Sequence, residues 1–434
     1  MNAIRLLAIP VILSMVLVGC NPSTSSQPTE TDVPAATQAS EKVVITFWNG
    51  FTGGDRPTFE ALFQEFNDTH PNIELKVDIQ PWDTLGQKLP AALASGVGPD
   101  VSTPDYNVGT IWQYVNSGSI APLDEIYGME PGKIDINAMP PEVLEGFTRD
   151  GHIWAVPVNF GTLLLYYNKD LLAEAGYAEP PKTMEEFQEY AAKLTKKDDA
   201  GNVIQYGIAL AENQTIPMWP ILIWANGGDL TNDKGCSMLN DPKTVEAIKS
   251  WADLIVNEGI SPVGLTGGDA DNLFAAGKAA FEMNGPWAAG QYGPAGINFD
   301  VAPIPVGPAG AVTLVSTTPM VMSASTENKE AAYEFLVWWI SKDTQRTLAL
   351  GAGFPPARTD MADDPAFSEN PLLQKFSAAA PYSRLYLPNA ELFSQIDVDI
   401  FQPAIGRITR GESADVVLQE AHQQLNQLLG CPNQ

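Results

Sequence analysis

The first patterned run is Val43-Val44-Ile45-Thr46-Phe47-Trp48, β-branched and aromatic, which predicts a strand running into the Gly53-Gly54 turn. The apolar period then changes. Phe59, Leu62, Phe63 and Phe66 fall at i, i+3, i+4 and i+7, predicting a helix over Pro57 to Thr69. Ile73 to Ile79 predicts a second strand and Leu85 to Ala94 a helix ending at the Gly96-Val97-Gly98 breaker. Pro99-Asp100-Val101 begins a short third strand. This strand–helix alternation predicts a parallel, doubly wound sheet with ligands at the carboxyl ends of the strands. The rule singles out Trp48 and Asp55 after the first strand, and Asp105, Tyr106 and Asn107 after the third.

Val156 to Gly176 changes the organisation. The turn Asn159-Phe160-Gly161-Thr162 feeds an apolar run, Leu163 to Tyr167, too short for a helix and flanked by turn residues, which reads as a buried strand. A brief helix, Leu171 to Ala175, follows, with Gly176 in a C-cap position. We read this strand as the start of a second lobe and the residues before it as lining a gap between two lobes. Thr183 and Glu186 form a capping box before Met184, Phe187, Ala191 and Leu194. Tyr206 to Leu210 is a strand leading through Gln214 to an aromatic helix with Trp219 and Trp224, and Asp241-Pro242 starts another helix. Phe274 to Trp287 reads as a helix end, a small-residue strand and a Gly-Pro turn presenting one Trp. Val312 to Ser323 is strand-like, Lys329 to Ile340 is a helix with Ala332, Phe335, Leu336 and Trp339 inward, and Ser413 to Leu429 closes the chain as a helix. The fold class is α/β.

Composition narrows the chemistry. The 434 residues and 44% hydrophobic content suffice for two large cores. A formal net charge of −28 repels nucleic acid and anionic membrane surfaces. Arg5 precedes a short apolar segment, Leu6 to Val18, shaped like an export signal and too short to span a membrane. It ends in Leu17-Val18-Gly19-Cys20, which resembles the bacterial lipobox, so residues 1–20 read as a lipoprotein signal with Cys20 as the lipidated residue. Residues 21–42, rich in Ser, Thr, Pro and Gln, read as a flexible tether. An exported chain can keep disulfides. Of three cysteines, setting Cys20 aside leaves Cys236 and Cys431, expected to pair; two free buried thiols are the alternative.

Seven ordered motifs carry a family resemblance: Leu165-Tyr166-Tyr167-Asn168-Lys169-Asp170-Leu171, Pro180-Pro181-Lys182-Thr183, Asn226-Gly227-Gly228, Gly277-Lys278-Ala279-Ala280, Asn284-Gly285-Pro286-Trp287, Ala302-Pro303-Ile304-Pro305 and Asn328-Lys329-Glu330-Ala331-Ala332. With them the chain resembles the bacterial extracellular solute-binding proteins of ABC importers, in the maltose-binding-like group for sugars. The resemblance implies the two-lobe periplasmic-binding-protein (Venus-flytrap) fold, each lobe a sheet flanked by helices, with a ligand cleft at the hinge. It implies lobe 1 from residues 43–160 and 303–362, lobe 2 from residues 161–302 and 363–434, and delivery of the ligand to a membrane permease. Ligand can shift such a closure only by its differential affinity for the closed state. The expected protein is a monomer that touches the membrane only through its lipid, with no cofactor.

Sugars present apolar C–H faces and rings of hydroxyls, so their sites combine aromatic platforms with polar partners. Trp287 matches the family's Asn-Gly-Pro-Trp aromatic. Phe160 and Thr162 stand where relatives contact ligand, Asp397 and Asp399 near another contact region, and Gln214 and Trp219 after the strand Tyr206 to Leu210. Arg358, in the Gly-Phe-Pro-Pro-Ala-Arg loop, would bind ligand hydroxyls or pair with an acid. Catalysis is not expected. The acid pairs Asp397/Asp399 and Asp269/Asp271 are ordinary in an acidic chain, and His70, His152 and His422 have no metal-ligand spacing. A glycerol 3-phosphate ligand in the same fold and a surface adhesion or scaffold role remain as alternatives.

Overall fold

The computed structural model describes residues 42–387, 390 and 392–432. The expected signal over residues 1–20, Cys20, and the tether up to residue 41 lie outside them. Two sheets, each covered by helices, carry the fold. The first has the strand order Ile73–Ile79, Val43–Asn49, Val101–Ser102, Pro319–Met322, Val156–Pro157. Its first three strands are parallel, with Phe47 opposite Val77 on one side and Val101 on the other. Pro319–Met322 runs antiparallel to both of its neighbours, Val101–Ser102 and Val156–Pro157, so the doubly wound pattern holds only for the N-terminal part. Helix Arg56–Thr69 turns Phe59, Leu62, Phe63 and Phe66 inward. They meet Phe335 and Trp339, with Phe59 and Trp339 stacked at 5.8 Å and Phe47 and Phe335 at 5.4 Å, a ring cluster that anchors the first core.

The second sheet has the order Phe299–Ala302, Leu164–Asn168, Ala279–Asn284, Val203–Ala209, Lys196–Lys197. Only Val203–Ala209 and Ala279–Asn284 pair in parallel. Thr183 and Glu186 do cap the helix Met184–Leu194 reciprocally, which presses Phe187 between Trp251 and Phe281, at 4.9 and 5.3 Å. Helix Ala414–Leu429 closes this core with Leu418, Ala421 and Leu425. Cys236 and Cys431 are joined, Cα–Cα 5.8 Å, fixing the end of that helix to the loop before helix Pro242–Glu258.

The chain passes between the cores three times. Phe160 buries in the first core and Leu163 in the second. Val315 and Leu314 mark the return pass, so Ile304, Val312 and Leu314, expected in the first lobe, pack in the second. The third pass follows Ala357 and reaches Phe376 by way of Met361, Phe367 and Leu373, which form a small cluster of their own with Ala349. The first two passes hold each other. Gly161–Thr162 pairs antiparallel with Thr313–Ser316, Asn159 Oδ1 accepts from the Thr318 amide at 3.0 Å, and the Thr317 hydroxyl donates to the Asn159 carbonyl at 2.8 Å. Buried backbone that crosses between cores needs such partners.

Candidate functional site

A cavity of about 230 Å³ lies between the two cores and beside the crossing strands. Its first wall grows from loops at strand ends. After strand Val43–Asn49, the Asn49 side chain accepts from the Phe51 amide at 3.2 Å and turns the chain so that Phe51, Thr52 and Asp55 face the cavity. After strand Ile73–Ile79, Pro81 starts a helix whose first residue, Trp82, lies flat over Gly50. A Cβ on Gly50 would fall 2.1 Å from the Trp82 indole. Trp82 stands edge-on to Phe51 at 5.6 Å and to Tyr106 at 5.5 Å, the arrangement that aromatic quadrupoles favour.

The second wall is built differently. Trp287, presented by the Gly285-Pro286 turn, lies over Gly285 as Trp82 lies over Gly50: a Cβ there would fall 2.0 Å from the ring. It packs against both cores and meets Phe354 of the first at 5.9 Å. Beside it, Asn284 Nδ2 sits 2.7 Å from Asp271 Oδ1, 3.2 Å from Glu282 Oε1 and 3.0 Å from the Tyr292 hydroxyl. The Tyr292 hydroxyl also donates to Glu282 in a short contact. Burial raises the Glu282 carboxyl well above its ordinary range and the neighbouring Asp271 pushes it further, while burial also raises Asp271; two acids this close favour one shared proton. Thr266 and Asp269 cap the helix Gly267–Ala275 reciprocally, so Asp269 serves the backbone and Asp271, two residues on, faces the cavity.

The walls also touch through polar and backbone groups. The Tyr106 hydroxyl donates to the Thr215 carbonyl at 3.2 Å. The Gly54 and Gly290 backbones meet so closely that a Cβ on Gly290 would lie 2.6 Å from the Gly54 oxygen.

Of the residues expected at the site, Trp287, Tyr106, Asp55 and Gln214 come together around this cavity, Gln214 with a left-handed φ of +47°. The others stand elsewhere. Trp48 is still within its strand, paired with Asp78 and Ser102, because the strand runs one residue further than its apolar pattern. Asp105 turns back to its own loop, accepting from the Asn107 amide at 2.9 Å and side chain at 3.1 Å; burial raises its carboxyl to about 7. Asp397 is buried and accepts from Tyr386 and Gln402, each at 2.7 Å, and burial raises it to about 6. Thr162 spends its hydroxyl on the Phe376 carbonyl at 2.8 Å, and Trp219 is buried in the second core. Asp399 faces solvent. Phe160 and Arg358 line a separate groove of about 660 Å³ along the third pass, where Arg358 holds Asp360 through two bonds of 2.9 Å.

Asn159, in the turn expected to line the gap, does line the cavity, while sequence reasoning missed Trp82, Asp271, Asn284, Ser316, Thr318 and Phe354. Trp82 obeys the strand-end rule and was hidden because the helix pattern starts at Leu85. No His, Lys or Arg lines the cavity, and among the described residues no group of three or more His, Cys, Asp or Glu is placed to hold a metal. Nor is any described helix long and apolar enough to cross a membrane.

Known proteins fit this picture. A profile for bacterial extracellular solute-binding proteins matches residues 61–375. A maltotriose-binding protein of Pyrococcus abyssi is 29% identical over 368 residues, covering 80% of this chain and 73% of that protein. A galactooligosaccharide-binding protein of Bacillus subtilis is 23% identical over 427 residues, 95% of each chain. Among solved structures, the GacH receptor of Streptomyces glaucescens, determined unliganded and with acarbose and an acarbose homolog, superposes with a TM-score of 0.78 at 25% identity, over 90% of this chain and 99% of that one.

Proposed function

The chain belongs to the bacterial extracellular solute-binding proteins, and from that premise we propose that it captures a carbohydrate between its lobes and delivers it to the permease of an ABC importer. The observation that carries the reading is the cavity itself: Trp82 and Trp287 offer flat apolar faces from opposite lobes while Thr52, Asn159 and Gln214 supply neutral polar groups. Sugar rings need both. At about 230 Å³ the space is below the roughly 300–1,000 Å³ of drug-sized sites, which favours a short saccharide. The absence of a cation on the lining argues against glycerol 3-phosphate, whose phosphate would call for Lys or Arg. A recess of this kind also favours small-ligand capture over adhesion through a flat patch.

In this reading the protein binds without turnover, acts as a monomer, and is anchored outside the cytoplasm by lipid on Cys20, with residues 21–42 as tether. The lobes are residues 43–160 with the return strands from Val315 to Ala357, and residues 163–314 with the chain from Phe376 onward. The test is a thermal-shift panel of mono-, di- and oligosaccharides and glycerol phosphates, with recovery of the ligand. We expect a saturable shift with at least one saccharide, a matching change in tryptophan fluorescence, and the ligand returned intact. Silence across the saccharides, or release of hydrolysed sugar, would overturn the proposal. Labelled fatty acid incorporated by the wild type and lost in Cys20→Ala tests the anchor.

A further inference from the structure

The charge on the cavity lining is lopsided. Asp55 enters from the first lobe and Asp271 from the second, and none of the lining residues is Lys, Arg or His. Asp55 is only 7% exposed, begins helix Arg56–Thr69 without a side-chain capping bond, and has no ion pair or hydrogen bond from another side chain among the described residues. A buried carboxylate without a partner is costly, and nature ordinarily pairs it or neutralises it. Burial raises Asp55 only to about 6, and the positive end of its helix favours the anion. It therefore faces the cavity as an acid that no cation or side-chain donor of the lining meets. Asp271 accepts from the Asn284 amide at 2.7 Å and the Tyr292 hydroxyl at 3.4 Å, both neutral donors, with the acid Glu282 directly behind. The potential from the second wall is thus negative as well.

Hydroxyl groups of a plain sugar would give these carboxylates hydrogen bonds and leave their charge uncompensated. A protonated amine would supply both, and Trp82, Tyr106 and Trp287 add ring faces that attract a cation. We propose that the saccharide taken by this cleft carries a free amino group, held as an ammonium by Asp55 of one lobe and Asp271 of the other. The inference rests on the saccharide reading and sharpens it to basic amino sugars. Because the ammonium engages carboxylates on both lobes, it favours the closed state over the open one, which is the condition for a ligand to drive closure.

The experiment uses the purified mature protein and calorimetric titration at neutral pH. The probes are glucosamine, galactosamine and mannosamine, each beside its parent hexose and its N-acetyl derivative, and the glucosamine disaccharide beside cellobiose and diacetylchitobiose. We expect one amino member to bind at least about ten-fold tighter than both of its counterparts, since the charged pair is lost in each. Asp55→Asn should abolish that preference while the protein still folds, shown by an unchanged melt without ligand. Added salt should weaken the amino member more than the neutral one. Equal or tighter binding of a hexose, of an N-acetyl sugar or of any neutral oligosaccharide overturns the inference and leaves the saccharide reading standing. Silence of every sugar overturns both.

Discussion

The two walls of the cleft are made on different plans. The first is a set of strand-end loops whose rings, Phe51, Trp82 and Tyr106, steady one another edge to face, with Asp55 bonded to no other side chain. The second is a knot of polar groups, Asp271, Glu282, Asn284 and Tyr292, that satisfy one another before any ligand arrives. One wall waits for its ligand to complete it, and the other is complete and only has to be met. A network satisfied throughout rigidifies its surroundings, while a half-satisfied one is a liability. The second wall therefore belongs to the folding energy of its lobe and the first chiefly to the energy of binding.

The sharpest way to break this contrast is Asn284→Leu. It removes the amide shared by two buried acids and a phenol, and should cost about 3 kcal/mol of stability, seen as a drop of roughly 5 °C or more in the melt without ligand. Asp55→Asn, in the other wall, should leave that melt unchanged or raise it. Equal losses from the two would show that the walls do not differ as described. Trp287→Ala should weaken saccharide binding by about 2 kcal/mol, some thirty-fold, and more than Trp82→Ala does in the same titration, because Trp287 packs on both cores. Gly290→Val should reduce affinity by about ten-fold, since its side chain would force apart the Gly54 backbone it meets here; an unchanged affinity would show that binding does not need this contact.

The smallest effect expected is on pH. Burial raises Asp105 to about 7 and Asp397 to about 6. A carboxyl raised in the folded state binds more protons there than in the unfolded chain, so its contribution is fully present below the ordinary carboxyl range and is lost as pH rises through the folded value. The melt without ligand should fall as pH rises from about 4 toward about 7, and Asp105→Asn should make that slope shallower. A slope the same in the variant would assign the effect to the general acidity of the chain.

How far the sequence reveals this molecule depends on the range of the interaction. Helix Arg56–Thr69 and the capping box at Thr183 are local, and their residues announce them. Trp287 is legible because a strand, a Gly-Pro turn and a helix start fix one side chain within a few residues, and Tyr106 and Gln214 because they follow strands. Phe354, Ser316 and Thr318 carry no such mark. They reach the cavity only because the chain returns to the first sheet on antiparallel strands, a long-range event with no local period. Glu282 is the extreme case: a carboxyl fully buried in the middle of a strand contradicts its own pattern, and only its neighbours across the fold make it tolerable. The same holds for Asp397, which looked like a ligand contact and is instead consumed by Tyr386 and Gln402.

The contact between Gly54 and Gly290 has a consequence of another kind. It is made of backbone alone, so in the proposed reading no property of the cargo would enter it, and it would act as a mechanical stop that ends the approach of the two jaws at one fixed distance. Any cargo small enough to let the stop be reached leaves the outer contour of the protein the same. In the proposed reading, a receptor that inspects that contour would learn only that the vessel is shut, the choice of what lies inside having been made by the chemistry within.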